Sequence, residues 1–139
     1  MKISEKLKAD ILSLETENMA PILEAIGIKH DPEKLLAGLE KPQEIISIYK
    51  EEVLMALLRF SYQGENAFIW SIQIKHPAKN KQYLLPLLRK TRKIFDDLKI
   101  KTIDSVVQKS NIASIKFHKK LNFVVIEEQE KVLKFNLRL

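Results

Sequence analysis

Apolar residues fall into short runs through the middle and the end of the chain, and into helical three-and-four spacing elsewhere. The run Ala67-Phe-Ile-Trp-Ser-Ile-Gln-Ile74 carries β-branched and aromatic residues and predicts a strand, which Pro77 keeps from extending much further. Beyond it, the polar stretch Lys79-Asn-Lys-Gln82 leads into Leu84, Leu87, Leu88, Phe95 and Leu98, which recur at helical spacing. Arg89, Lys90, Arg92 and Lys93 lie largely off that stripe. A strand thus feeds a helix through a cationic loop. Unpaired N–H groups and the positive dipole end at a helix start make such a loop a candidate phosphate site.

The N-terminal third reads as helical. Leu7, Ile11 and Leu14 fit a helix after a Ser4 cap, although Ile11-Leu-Ser-Leu14 fits a short strand equally well, so residues 3–15 stay open between the two. Asn18 predicts the cap of a helix running through Ile26, with Pro21 in its first turn and Gly27 as a left-handed stop. Asp31-Pro32 opens another short helix to about Leu39. Then Glu44-Ile-Ile-Ser-Ile-Tyr-Lys50 and Val53 to Tyr62 read as strands about a turn at Glu51-Glu52, and Gly64-Glu-Asn66 is a loop before the strand at Ala67. Lys101 to Gln108 is a strand beyond the central helix, and a strand-helix-strand crossover of that length is most simply parallel. Asn111 caps a helix through Leu121, and Phe123–Ile126 and Lys131–Leu137 form a closing hairpin around Glu127 to Glu130.

At 139 residues with 45% hydrophobic content, the sequence suits a single domain over residues 1–139. No run approaches the roughly 18 apolar residues that span a bilayer, and Met1-Lys-Ile-Ser-Glu-Lys6 has no signal-peptide core, so a soluble, cytoplasmic protein is expected. The absence of cysteine and the scatter of three histidines give no metal-ligand spacing. Charge is uneven. Residues 1–74 hold 8 Lys and Arg against 12 Asp and Glu, residues 75–120 hold 13 against 3, and residues 121–139 hold 3 against 3. The basic block suits an anionic partner, and it equally suits two solvated helix faces. Nucleic acid fits it least, because Tyr83, Phe95 and Phe117 are its only interleaved aromatics and most of them look like core.

Asn111-Ile-Ala-Ser-Ile-Lys-Phe-His-Lys-Lys-Leu-Asn-Phe123 resembles the pattern N-x-x-A-x-x-F/L-Y-E-K-x-G-F of the GNAT superfamily of acyl-CoA N-acyltransferases. Asn111, Ser114, Phe117, Lys120, Leu121 and Phe123 fall at matching or similar positions, and Val107 stands where that family carries its strand residue. The order of elements resembles the family over most of the chain. The resemblance implies an α/β fold with a mixed sheet of six or seven strands, mostly antiparallel with one central parallel pair, and about four helices. Asn122 replaces the usual Gly at a position that wants a left-handed backbone, which Asn tolerates. His118 replaces the usual Tyr, the family's proton donor to the departing thiolate, and at an unperturbed pKa of about 6.5 a histidine can serve there. The alternative is an exposed histidine on a solvated helix face. Helical spacing puts His118 on one edge with Ser114, beside the stripe Ala113, Phe117 and Leu121.

The family's pyrophosphate loop, Q/R-x-x-G-x-G/A, corresponds to Lys79-Asn-Lys-Gln82-Tyr-Leu84, which keeps a leading charge but has neither glycine. Pro86 constrains the helix that follows unless it sits in the first turn. The resemblance implies acetyl-CoA as cofactor, contacted by Ile74, Lys79, Lys81, Gln82, Tyr83, Leu84 and Asn111, with the two lysines holding phosphates through their side chains. Ala67 to Pro77 has no carboxylate to serve as base; Ser71 and Gln73 can only orient water, leaving Glu65, His76 or no base at all. The activity implied is N-acetyl transfer to a small-molecule or protein amine, by direct attack on the thioester. The alternative is a GNAT-fold module that binds coenzyme A or an anionic partner without chemistry. Acceptor choice in the family rests on segments that correspond to Met19–Leu39 and Gln63–Asn66. Monomer and homodimer both remain open, since the last hairpin offers a pairing edge.

Overall fold

The computed structural model describes residues 3–25 and 27–139. Its apolar runs pair into one six-stranded sheet of β1 (Glu44–Lys50), β2 (Val53–Gln63), β3 (Asn66–Ile74), β4 (Thr102–Gln108), β5 (Val124–Glu128) and β6 (Val132–Arg138). The spatial order is β1-β2-β3-β4-β6-β5. Only β3 and β4 run parallel; every other neighbouring pair is antiparallel. Four α-helices accompany the sheet: α1 (Glu5–Glu24), α2 (Pro32–Leu39), α3 (Leu84–Asp97) and α4 (Ile112–Lys120). The expected mixed sheet with a central parallel pair is therefore present, with the smaller of the two expected strand numbers.

Side-chain alternation sends the strands' apolar residues to two cores. One joins Leu58, Phe60, Ala67, Ile69, Ile103 and Phe135 to Leu87 and Phe95 of α3. Phe60 and Phe95 meet edge to face with centroids 4.8 Å apart, the geometry that aromatic quadrupoles favour. The second core, on the opposite face, joins Ile11 and Leu14 of α1 and Leu39 of α2 to Leu54 and Leu57. Among the described residues no helix is long and apolar enough to cross a membrane.

Of the two readings open for residues 3–15 the helical one, with its Ser4 cap, is present, and the departure from expectation comes at Asn18. Residues 3–15 hold no strand, because α1 starts at its Ser4 cap, where Ser4 Oγ accepts from the Leu7 N–H, and runs unbroken past Asn18. Asn18 caps nothing. Its side-chain nitrogen instead donates to Gln73 Oε1 and to the Ile74 carbonyl, both at 2.9 Å, so that the residue ties α1 to β3. Pro21 consequently lies inside a helix rather than in a first turn. Ile26, the expected helix end, lies outside the described residues, as do Met1 and Lys2, while Gly27 takes the left-handed φ of 76° that the stop requires. The Asp31 cap is present, accepting from the Glu33 and Lys34 N–H groups. At the other end of the chain, β5 begins one residue later than predicted and runs through Glu128, because Phe123 is buried in the core instead of pairing.

The parallel pair sets up the site. Its register covers only Asn66↔Thr102 to Ile69↔Ser105. Below that limit a polar ladder holds three strands together: Thr102 Oγ1 donates to Asn66 Oδ1, and Asp104 accepts from Asn66 Nδ2 and Asn136 Nδ2. Above it, Asn18 holds β3 toward α1, and the β2–β3 register slips at Arg59/Phe60, leaving Trp70 as an extra residue on β3. Strands β3 and β4 therefore part at Trp70 and Val106.

Candidate functional site

A cleft of about 250 Å³ fills the fork, with β3 residues 69–73 on one side and β4 residues 105–108 on the other. Glu15 and Met19 of α1, the Asn111 cap, and Ser114 and His118 of α4 complete its wall. Beyond Ile69, β3 has no strand partner on the side facing β4, so its backbone edge short of the Ile74 carbonyl, which Asn18 engages, is available to an extended ligand arm.

His118 is buried, at 3% exposure, and so is no solvated helix-face residue. The buried face of α4 is rotated from the expected stripe: Ala113 is exposed, while His118 packs between Phe123 and Phe135 with ring centroids 5.0 Å from each. Nδ1 lies 2.7 Å from the Ser114 carbonyl oxygen, which can only accept, so Nδ1 carries the proton. Nε2 then offers its lone pair to the hydroxyl of Ser105, 2.9 Å away. Burial lowers the imidazole pKa below its usual 6.5, against the opposing effect of the Ser114 hydrogen bond. The ring is thus held neutral, in one tautomer, behind a serine hydroxyl that lines the cleft.

Opposite stands a carboxylate that no sequence motif marks. Glu15 is 5% exposed, and its Oε1 accepts from Arg59 Nη2 at 3.1 Å, while Arg59 Nη1 donates to Gln43. Its other oxygen, Oε2, is buried without a hydrogen-bond partner, as is Gln108 Oε1 across the cleft. Helical spacing from Ile11 and Leu14 put Glu15 next to the apolar face of α1, the one hint the sequence held. Neither Glu65 nor His76 lines the cleft. Glu65 pairs with Lys101 at the opposite end of β3, and His76 is exposed beyond the strand's last residue.

Of the residues expected to hold cofactor, Asn111 reaches the cleft, where its Oδ1 caps α4 by accepting from the Ser114 N–H. Ile74 ends β3, its carbonyl engaged by Asn18 and its side chain packed on the core. The loop residues form a separate group. Ala78–Tyr83 wind into a 3-10 turn that runs directly into α3, so Pro86 falls in the first turn of that helix, where its missing N–H is harmless. Lys79, Lys81 and Gln82 are exposed, and Tyr83 and Leu84 are half-buried. Within the turn the Asn80 N–H donates to the Pro77 carbonyl and the Leu84 N–H to that of Lys81, so these two amides already have partners.

No protein family and no curated protein matches the sequence. Solved structures do match. The PaiA N-acetyltransferase of Thermoplasma acidophilum, in complex with coenzyme A, is similar with a TM-score of 0.79 at 15% identity, over 100% of this chain and 97% of that one. A GNAT-family acetyltransferase of Staphylococcus aureus Mu50 gives 0.79 at 12% identity over 100% and 97%. An aminoglycoside 6'-acetyltransferase type Ii gives 0.74 at 11% identity over 99% and 93%. The chain has the GNAT fold.

Proposed function

We propose that this protein is an acetyl-CoA-dependent N-acetyltransferase that joins an acetyl group directly to an amine. The observation that carries this reading is the fork: a parallel pair that stops at Ile69↔Ser105 and opens onto a cleft with a buried Ser105–His118 pair in its wall. When bound, acetyl-CoA supplies the thioester whose C–S bond is exchanged for the C–N bond of the amide. The free edge of β3 beyond Ile69 suits the pantetheine arm, and Lys79 and Lys81 suit the phosphates as point charges. Ile74, Gln82, Tyr83, Leu84 and Asn111 complete the expected cofactor contacts.

His118 serves in two steps. The acceptor attacks as the neutral amine, its ammonium proton having gone to solvent. Since Nε2 starts unprotonated, His118 then takes, through the Ser105 hydroxyl, the second proton that the nitrogen gives up on forming the C–N bond, and returns it to the sulfur as the C–S bond breaks. It is acid to the thiolate only after acting as base to the amine. Proximity and orientation in the cleft supply the rest of the rate. Calorimetry with acetyl-CoA, followed by assay of free thiol with a panel of primary amines, tests the reading: binding together with amine-dependent thiol release is expected, and no detectable heat up to millimolar cofactor overturns it.

One observation favours a second reading, a fold that binds without transferring. The loop has no glycine, and its turn already engages the Asn80 and Leu84 amides. Under that reading acetyl-CoA or an anionic partner binds, and no amine releases thiol.

A further inference from the structure

The two cleft-lining residues with buried, unpartnered polar atoms both present oxygens: Glu15 Oε2 and Gln108 Oε1. A third such oxygen, Asn18 Oδ1, lies one helical turn from Glu15, on a residue bonded to the cleft residue Gln73. Its orientation is fixed, because the Ile74 carbonyl demands the amide nitrogen and so turns Oδ1 away as an acceptor. The remaining buried side-chain N or O atom without a partner among the described residues, Arg59 Nε, belongs to a side chain that does not line the cleft. Buried acceptors left without donors are unfavourable, and a group with several N–H donors and no acceptor relieves them together. An ammonium has that character. With Oε1 of Glu15 occupied by Arg59, Oε2 is the charged oxygen left for it.

The mouth of the cleft adds a second requirement. Trp70 and Val106, the first residues past the fork, are 38% and 41% exposed, and Phe68 packs edge to face on Trp70 with centroids 5.9 Å apart. Trp70 is held in place by its indole N–H, which donates to Ser61 Oγ, and Lys41 Nζ lies 5.8 Å from the ring centroid. This rim is apolar and already carries a cation, so it suits an uncharged body and opposes a second positive charge.

We propose that the cleft is an acceptor site for a primary amine with one positive charge and an apolar or aromatic body, its ammonium held by Glu15 Oε2 and Gln108 Oε1 and its body lying on Trp70 and Val106. This rests on the transferase reading for its meaning, but its test needs no acetyl-CoA. Trp70 is the sole tryptophan, so its emission reports on the rim. Titration of the full chain with 2-phenylethylamine, 2-phenylethanol and ethylamine separates head from body. The amine should bind at least about tenfold more tightly than the alcohol, and ethylamine should bind more weakly than 2-phenylethylamine. Glu15→Gln should abolish the amine's advantage and leave the alcohol's affinity unchanged. Because that variant leaves Arg59 without its carboxylate, Gln108→Leu is measured beside it and should reduce the advantage several-fold. Equal affinity for amine and alcohol, ethylamine as tight as 2-phenylethylamine, or an unchanged ratio in the variants that fold would each overturn the proposal. Parallel titration with acetyl-CoA tells the two readings apart. Amine preference without cofactor binding removes the transferase and keeps the amine site; cofactor binding without amine preference does the reverse.

Discussion

At the last β3–β4 pair, Ser105 is tied to His118 by a buried hydrogen bond of 2.9 Å and His118 to the Ser114 carbonyl by a part-buried one of 2.7 Å, whereas Lys79, Lys81 and Gln82 sit exposed on a 3-10 turn at the start of α3. The two regions depend on different physics. In the fork, low dielectric strengthens each contact and makes each unpaired group costly. On the turn, water and salt screen whatever the lysines hold. The fork is set by topology and packing, so its shape does not depend on which side chains the Ala78–Tyr83 turn carries.

The largest effect belongs to the fork. His118→Ala should lower turnover by about 10²- to 10⁴-fold with cofactor affinity nearly unchanged, the split expected of a group that acts on protons alone. Removing a ring packed on Phe123 and Phe135 should also cost about 2–5 kcal/mol of stability, so the rate must be read well below the melting transition. A rate left intact would remove His118 from the proton path. The same residue gives a pH test. Because burial lowers the folded-state pKa, the unfolded chain takes up a proton that the folded one refuses in the interval below 6.5. Its contribution to stability is present above about pH 6.5 and is lost as pH falls through the folded-state value. Urea melts should show stability falling with pH over that interval in wild type, and a smaller pH dependence in His118→Gln, which has no imidazole to titrate.

Next comes Arg59→Ala, which leaves the Glu15 carboxylate buried without its cation and should cost about 3–5 kcal/mol. The exposed Lys75–Glu17 pair, 3.1 Å apart and likewise involving α1, is the internal control: Lys75→Ala should cost under about 1 kcal/mol. Equal losses by denaturant unfolding would mean that the Glu15 pair is far wetter than its burial indicates.

What the sequence made legible follows the same division. Strand runs, the Asp31 and Asn111 caps and the left-handed Asn122 were readable because each is decided by local chemistry. The burial of His118 was not, since spacing on α4 alone cannot say which edge meets Phe135, a residue seventeen positions later. Glu15 escaped notice because its importance comes from Arg59 on β2 and from a fork in β3 and β4, neither of which a helix pattern encodes. The unbroken α1 was misread for a related reason: Asn18 is a good cap by propensity, yet Gln73 and Ile74 engage its side chain.

On the turn, Lys79→Ala and Lys81→Ala should each weaken acetyl-CoA binding by about 1 kcal/mol or less, with the loss shrinking at high salt. Calorimetry at two salt concentrations checks this. A loss that is large and indifferent to salt would mean that the lysines are desolvated in the complex and that the contrast with the fork is false.

The smallest effects come from the helix that each region uses. Both α3 and α4 end in the same hydrogen-bond pattern: the Ile100 N–H donates to the Phe95 carbonyl and that of Lys99 to Asp96, while Phe123 donates to His118 and Asn122 to Lys119. Each pattern places a left-handed residue after the helix, Lys99 at φ 60° and Asn122 at φ 72°. Lysine bears the full crowding of its Cβ against the carbonyl there, whereas the short polar side chain of asparagine tolerates the conformation. Lys99→Gly should therefore gain about 1 kcal/mol and Asn122→Gly about half that, after allowing for the greater chain entropy that glycine loses on folding. Denaturation midpoints at constant m-value would rank them. A larger gain at Asn122 than at Lys99 would show that the α4 end, one residue from the buried Phe123, is under strain transmitted from the fork and not merely capped by a tolerant residue.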